Sequence, residues 1–97
     1  MTLQETIIST LRSLKPELAS RFAVSSLGVF GSVTRADFSA ESSDVDIIVD
    51  FSRPVGIEFI DLANYLEMQI RRKVDLISRK GIKEKYLKAI ESEIIYV

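Results

Sequence analysis

Three aspartates stand at the heads of strand-like runs. Asp44 and Asp46 lie one residue apart in Ser43-Asp44-Val45-Asp46-Ile47-Ile48-Val49, and Asp75 sits in Arg72-Lys73-Val74-Asp75-Leu76-Ile77. In an extended strand, residues two apart point the same way, with Cα atoms about 6.6 Å apart at ~3.3 Å rise per residue. Two carboxylates held so close repel each other and raise each other's proton affinity unless something positive lies between them. A hard divalent cation meets that need, and Mg²⁺ is typically held by one or two carboxylates with phosphate oxygens and water. If the Asp75 strand lies beside the Asp44–Asp46 strand, the three acids would complete a two-metal site. One ion of such a site activates an attacking oxygen and the other steadies a leaving group. Taken alone, Asp-x-Asp is more often a solvated strand end, with Asp44 capping a turn beside Ser42 and Ser43. Asp37 and Asp50 have no partner at a telling spacing and read as surface acids.

Gly31-Ser32 follows the apolar run Leu27 to Phe30, with eleven residues between it and Asp44. A strand ending in Gly, with Ser opening a helical turn, brings backbone N–H groups and a hydroxyl close to a phosphate. On this reading Gly31 spares a side chain where the phosphate passes, and Ser32 bonds its oxygens. Gly-Ser alone is a weak signal, since any turn can contain it. Arg35, one helical turn on, has two open readings: a phosphate contact or an ion pair with an aspartate.

The surrounding pattern supplies elements to hold these residues. Thr2 with Glu5 fits a capping box, and Leu3, Ile7, Leu11 and Leu14 continue at helical spacing. Lys15-Pro16 predicts a break, with Pro16 in the first turn of a second short helix through Phe22. Leu27 to Phe30 predicts a buried strand, and Ser32 caps a short helical turn to about Ala36. Asp37 to Ser43 reads as a polar loop. Asp44 to Phe51 alternates, with Val45, Ile47, Val49 and Phe51 on one face and Asp44, Asp46, Ile48 and Asp50 on the other. Ser52 to Gly56 is a turn, and Ile57 to Ile70 an amphipathic helix. Val74 to Ile77 predicts a third strand, Ile82 to Ile90 a basic helix, and Glu93 to Val97 an edge strand. The order predicts an α/β (α+β) fold, with helices layered on a small mixed sheet.

Ninety-seven residues suffice for one domain, 1–97, with a single modest core. The chain is 46% hydrophobic and 28% charged, which excludes a disordered chain and fits an ordinary soluble globular protein. It lacks an apolar run of the ~20 residues that a membrane span needs. The start, MTLQETIIST, carries an acid and no positive charge, unlike a signal peptide. Without cysteine or histidine, thiolate chemistry and the usual zinc sites are excluded. The expected compartment is the cytoplasm. Net charge is −1, but Arg71 to Lys88 holds eight basic residues against two acids, +6, while the rest holds five against twelve, −7. That split fits an anionic ligand or partner, or simply a solvated basic helix with its flanking loops.

The conjunction of motifs resembles the minimal nucleotidyltransferases of the DNA polymerase β-like superfamily. Their signature is Gly-Ser after a first strand, Asp-x-Asp on a second about ten to twelve residues later, and a third acid on a later strand. Here Gly31-Ser32, Asp44-Val45-Asp46 and Asp75 occupy those places. Many relatives read Gly-Ser-x-Ala-Arg-Gly, whereas this chain has Gly31-Ser32-Val33-Thr34-Arg35-Ala36, which puts the path after Arg35 in question. The resemblance implies Mg²⁺-dependent nucleotidyl transfer from a triphosphate such as ATP, with loss of pyrophosphate. Asp44 and Asp46 would bind both ions, Asp75 would bind the catalytic ion and help deprotonate the attacking hydroxyl, and Gly31-Ser32 would hold the triphosphate. Larger relatives carry an extra domain for the acceptor; here the acceptor would come in trans. Small members of the family are commonly antitoxins paired with helical HEPN toxins, and some AMPylate a toxin tyrosine. The first expectation is therefore an AMP-transferring antitoxin, and the alternative a non-catalytic antitoxin that occludes its toxin. Direct nucleic-acid binding by the basic segment is disfavoured, since aromatics other than Tyr86 are not interleaved with it.

Overall fold

Helix α1 (Leu3–Phe22) opens with the expected reciprocal cap: Thr2 accepts from the Glu5 N–H, and the Glu5 carboxylate accepts from the Thr2 N–H. The computed structural model describes residues 2–34 and 44–97. Contrary to the predicted break at Lys15-Pro16, α1 is one helix of 20 residues with Pro16 inside it. Ile7, Leu11, Leu18 and Phe22 are buried on a single face, so tertiary packing demands continuity. Pro16 is exposed, which leaves water to satisfy the Arg12 carbonyl that a proline cannot serve.

Strand β1 (Val24–Phe30) starts earlier than its apolar run suggests. The antiparallel ladder with β2 (Val45–Phe51) extends it back through Ser26 to Val24, with an irregularity between Val24 and Ser26. A tight 3-10 turn, Gly31–Thr34, follows β1 and is closed by the Thr34 hydroxyl donating to the Gly31 carbonyl. The predicted loop from Asp37 to Ser43, and the end of the turn at Ala36, lie outside the described residues.

Helix α2 (Glu58–Ile70) leads to β3 (Val74–Ser78), α3 (Glu84–Ile90), a 3-10 turn at Glu91–Glu93 and the edge strand β4 (Ile95–Tyr96). Two starts differ from expectation by two residues. The basic helix begins at Glu84 rather than Ile82, because Gly81 and Ile82 bond back to the Ser78 carbonyl in a turn. The last strand is only two residues long, because Glu93 belongs to the preceding turn.

The sheet order is β3-β2-β1-β4, with β1 antiparallel to β2 and β4, and β2 parallel to β3. One face carries the core: Leu27, Val29, Val45, Ile47, Val49, Phe51 and Val74 pack against Leu11, Leu18, Leu62 and Leu66 of α1 and α2. Burying each large aliphatic side chain there contributes about 1.5–3 kcal/mol. On the other face Ile48 is buried at 2% exposure, although alternation groups it with aspartates. Its partner in β1 is Gly28, where a Cβ would meet Ile94 Cγ2 at 2.7 Å. The C-terminal segment therefore closes over this part of the second face. Among the described residues, no helix is long and apolar enough to cross a membrane.

Candidate active site

The mixed topology brings four chain segments to one end of the sheet. That end holds the C-terminal end of β1 and the starts of β2, β3 and β4. Gly31 leaves β1 with φ +72°, in the left-handed region that favours glycine. A Cβ at Gly31 would land on the carboxylate of Asp46. A side chain at Gly31 is thus excluded by an acid of the neighbouring strand, since the space beside its Cα is filled by Asp46. Ser32 follows, half-buried, in the 3-10 turn.

Asp46 pairs across the antiparallel ladder with Phe30 and across the parallel ladder with Asp75. Paired residues on adjacent strands share a face, with backbones about 4.8 Å apart. The flanking pairs, Val45 with Val74 and Ile47 with Leu76, turn the other way. Asp46 is half-buried and Asp75 exposed. Asp44 stands immediately before β2, exposed, two residues from Asp46. The condition set by the sequence, that the third strand lie beside the second, is met in register.

Two hydrogen bonds fix where these strands begin. The Val45 N–H donates to the Lys73 carbonyl at 2.9 Å, tying the start of β2 to the approach to β3. The Val74 N–H donates to Glu67 Oε2 at 2.9 Å, anchoring β3 to the last turns of α2. Arg71 ends α2 with φ 56° and turns the chain toward the site.

Arg35 lies outside the described residues. Among the described residues, no three carboxylates converge closely enough to grip an ion as they stand. The donor set is nonetheless of the kind Mg²⁺ prefers: hard, anionic, and mounted on neighbouring strands.

One acid at this end carries no sequence signal. Glu93 Oε1 accepts from the Gly31 N–H at 3.1 Å, a contact between residues 62 apart in sequence. No motif points to it, since the turn that carries Glu93 meets Gly31 only through the β1–β4 pairing. The basic stretch also divides. Arg71, Arg72 and Lys73 lead into β3 at the carboxylate end, whereas Arg79 and Lys80 follow β3 at the other, roughly 17 Å along a five-residue strand. At that far end a cleft of about 320 Å³ is lined by Phe51, Val55, Phe59, Ser78 and Lys80, and none of the aspartates singled out as ligands reaches it.

A family model described as the nucleotidyltransferase domain matches residues 11–97. The chain belongs to that family. The protein adenylyltransferase MntA of Thermococcus cleftensis is 43% identical over 98 residues, covering 100% of this chain and 97% of the relative. A Methanocaldococcus jannaschii protein assigned the same activity is 40% identical, covering 99% of this chain and 98% of its own. A solved structure assigned to the minimal nucleotidyltransferases superposes with a TM-score of 0.79 at 29% identity, over 98% of this chain and 95% of that one. The expected polymerase β-like fold is therefore the observed one. A tri-AMPylated Shewanella oneidensis HEPN toxin in complex with its MNT antitoxin gives a TM-score of 0.60 at 20% identity, over 97% of this chain and 67% of the other, a likeness of fold.

Proposed function

We propose that this nucleotidyltransferase moves AMP from ATP to a hydroxyl of a protein partner, a tyrosine of a HEPN-type toxin, and so acts as its antitoxin. The observation that carries the reading is the in-register pairing of Asp46 with Asp75, beside a Gly31 that Asp46 itself covers. The adenylyltransferase relatives supply the reaction class, and the AMPylated toxin complex supplies the kind of partner.

In this reading Asp44, Asp46 and Asp75 would hold Mg²⁺, and the ion would supply neutralisation of the triphosphate charge that builds during transfer. Gly31 and Ser32 seat the triphosphate by its oxygens, with Arg35 as a further contact. Asp75, the most outward of the paired acids, faces the incoming hydroxyl and helps draw off its proton. The hydroxyl oxygen forms a bond to the α-phosphorus, the bond to the bridging oxygen breaks, and pyrophosphate leaves. Much of the rate enhancement comes from positioning, which explains how rigid strands serve where no histidine exists.

A second reading, neutralisation by occlusion without transfer, draws on the carboxylates not converging as they stand. One experiment separates the two. The chain is co-purified with its helical partner, supplied with ATP and Mg²⁺, and both chains are weighed. The transfer reading expects AMP-sized gains on the partner that vanish in Asp44→Ala/Asp46→Ala. An unmodified partner in a stable complex, still inhibited by the double variant, refutes it in favour of occlusion.

A further inference from the structure

The phosphate-side donor of the site is already in use. The Gly31 N–H, the first amide of the Gly-Ser turn, donates to Glu93 Oε1 at 3.1 Å in a partly buried position. The other side of Gly31 is filled by the Asp46 carboxylate. Acids therefore flank this glycine on its amide side and on its Cα side, and an incoming polyphosphate would be a third anion against the same few atoms. Carboxylate and phosphate oxygens compete for backbone N–H groups as equivalent charge-assisted acceptors. They also repel each other, more strongly where burial reduces screening.

Asp46 and Glu93 are not equally able to yield. Asp46 lies in the middle of the sheet, paired on one side with Phe30 and on the other with Asp75. Glu93 ends a three-residue 3-10 turn, ahead of an edge strand of only two residues. That turn is tethered on both sides. Arg79 lies 3.9 Å from Glu91 and donates to the Tyr96 hydroxyl, and the Val97 N–H bonds the Leu27 carbonyl. A short turn of this kind gives way far more cheaply than a central strand.

The geometry points to Glu93 as a competitive gate on the nucleotide: its carboxylate holds the Gly31 N–H closed and must be displaced before a triphosphate can seat. This inference rests on the reading of Gly31-Ser32 as the triphosphate cradle. The gated form lowers apparent affinity by the fraction of molecules whose cradle is open. The gate acts on binding in the ground state and the transition state alike, so its removal lowers KM and leaves kcat unchanged.

The test measures binding of Mg²⁺–ATP and Mg²⁺–tripolyphosphate to the full chain by calorimetry, with transfer kinetics on the partner complex. Glu93→Gln keeps the shape and an acceptor but removes the charge, and Glu93→Ala removes both. Both variants should bind either probe about tenfold more tightly, alanine at least as strongly as glutamine, with the gain appearing in KM rather than kcat. Should both variants unfold, NMR of the wild-type chain decides: the Glu93 side-chain carboxyl and the Gly31 amide must shift together as tripolyphosphate is added. Wild-type binding with no tightening in folded variants, or a Gly31 shift that leaves Glu93 unmoved, overturns the gate while the cradle stands. Absence of binding to wild type and variants alike overturns the cradle reading, and the gate with it.

Discussion

Gly31→Ala tests whether backbone conformation and an acid together make this glycine obligatory. At φ +72° an alanine enters the left-handed region at a cost of about 1–2 kcal/mol. Its Cβ also lands on the Asp46 carboxylate, which must leave its rotamer at a further ~0.5–1.5 kcal/mol. The expected destabilisation is about 2.5 kcal/mol, or roughly 10–20 °C in Tm for a domain of this size. Repeating the change in an Asp46→Ala background separates the two terms, because the backbone cost persists while the clash disappears. The loss should then shrink to about 1.5 kcal/mol, a coupling of about 1 kcal/mol between the two positions. Thermal and guanidinium unfolding read these differences. AMP transfer by Gly31→Ala should fall at least ~100-fold, because an acid displaced by even an ångström loses its positioning. Gly56→Ala is the internal control: a Cβ there meets nothing within 4 Å, its φ is not positive, and stability should hold or rise by about 0.4–1 kcal/mol. Equal effects at Gly31 and Gly56, or an undiminished Gly31→Ala loss in the Asp46→Ala background, would refute the reasoning.

Asp75→Asn keeps the shape of an exposed side chain, so Tm should stay within about 1 °C while transfer falls ~10²–10³-fold, measured as AMP added to the partner. Chelation of Mg²⁺ should abolish transfer in the unaltered chain, and readdition should restore it. Pro16→Ala restores a helix hydrogen bond at an exposed site and should raise stability by roughly 2 kcal/mol, seen as a higher guanidinium midpoint with an unchanged slope. The Tyr65 hydroxyl, and after it Arg21, hold the Glu17 carboxyl below the usual 4.5, while Glu17 holds the Tyr65 hydroxyl above the usual 10.0. The Glu17 contribution is present above its unfolded value and lost as pH falls through the folded one. The Tyr65 contribution is present below its unfolded value and lost as pH rises through the folded one. Tyr65→Phe should therefore flatten the dependence of Tm on pH at both the acid and the alkaline end.

How much of this was legible before any coordinates turns on what local pattern can carry. The alternation of β2, the amphipathic α2 and the capping box at Thr2 are local, and they appear where the residues place them. The misses are the positions where distant partners outvote neighbours. Pro16 reads as a helix break until Leu11, Leu18 and Phe22 are seen to share one core. Val24 to Ser26 stand outside the predicted strand until the β2 ladder claims them. Glu93 has no local signature, because its role comes from an edge strand laid back against β1. The charge split survives as arithmetic but not as a patch, since β3 runs between the two halves of the basic segment.

The register of the acids is a subtler case, for it is written in the sequence without being a motif. Parallel strands joined through a helix have no tight turn to set their alignment. What sets it here is that Val45-Asp46-Ile47-Ile48 and Val74-Asp75-Leu76-Ile77 share one pattern of apolar and acidic residues, with Val45 and Val74 both in the core and Asp46 and Asp75 both turned from it. A slip of one residue would turn Asp75 into the apolar layer beneath the helices and lift Val74 out of it. An uncompensated charge in that layer costs several kcal/mol, a large fraction of the whole stability of a domain this size. The pairing of Asp46 with Asp75 is thus enforced by the same hydrophobic alternation that builds the sheet. The fold needs nothing extra to set these two carboxylates on neighbouring strands, and a chain that keeps its core keeps them in register.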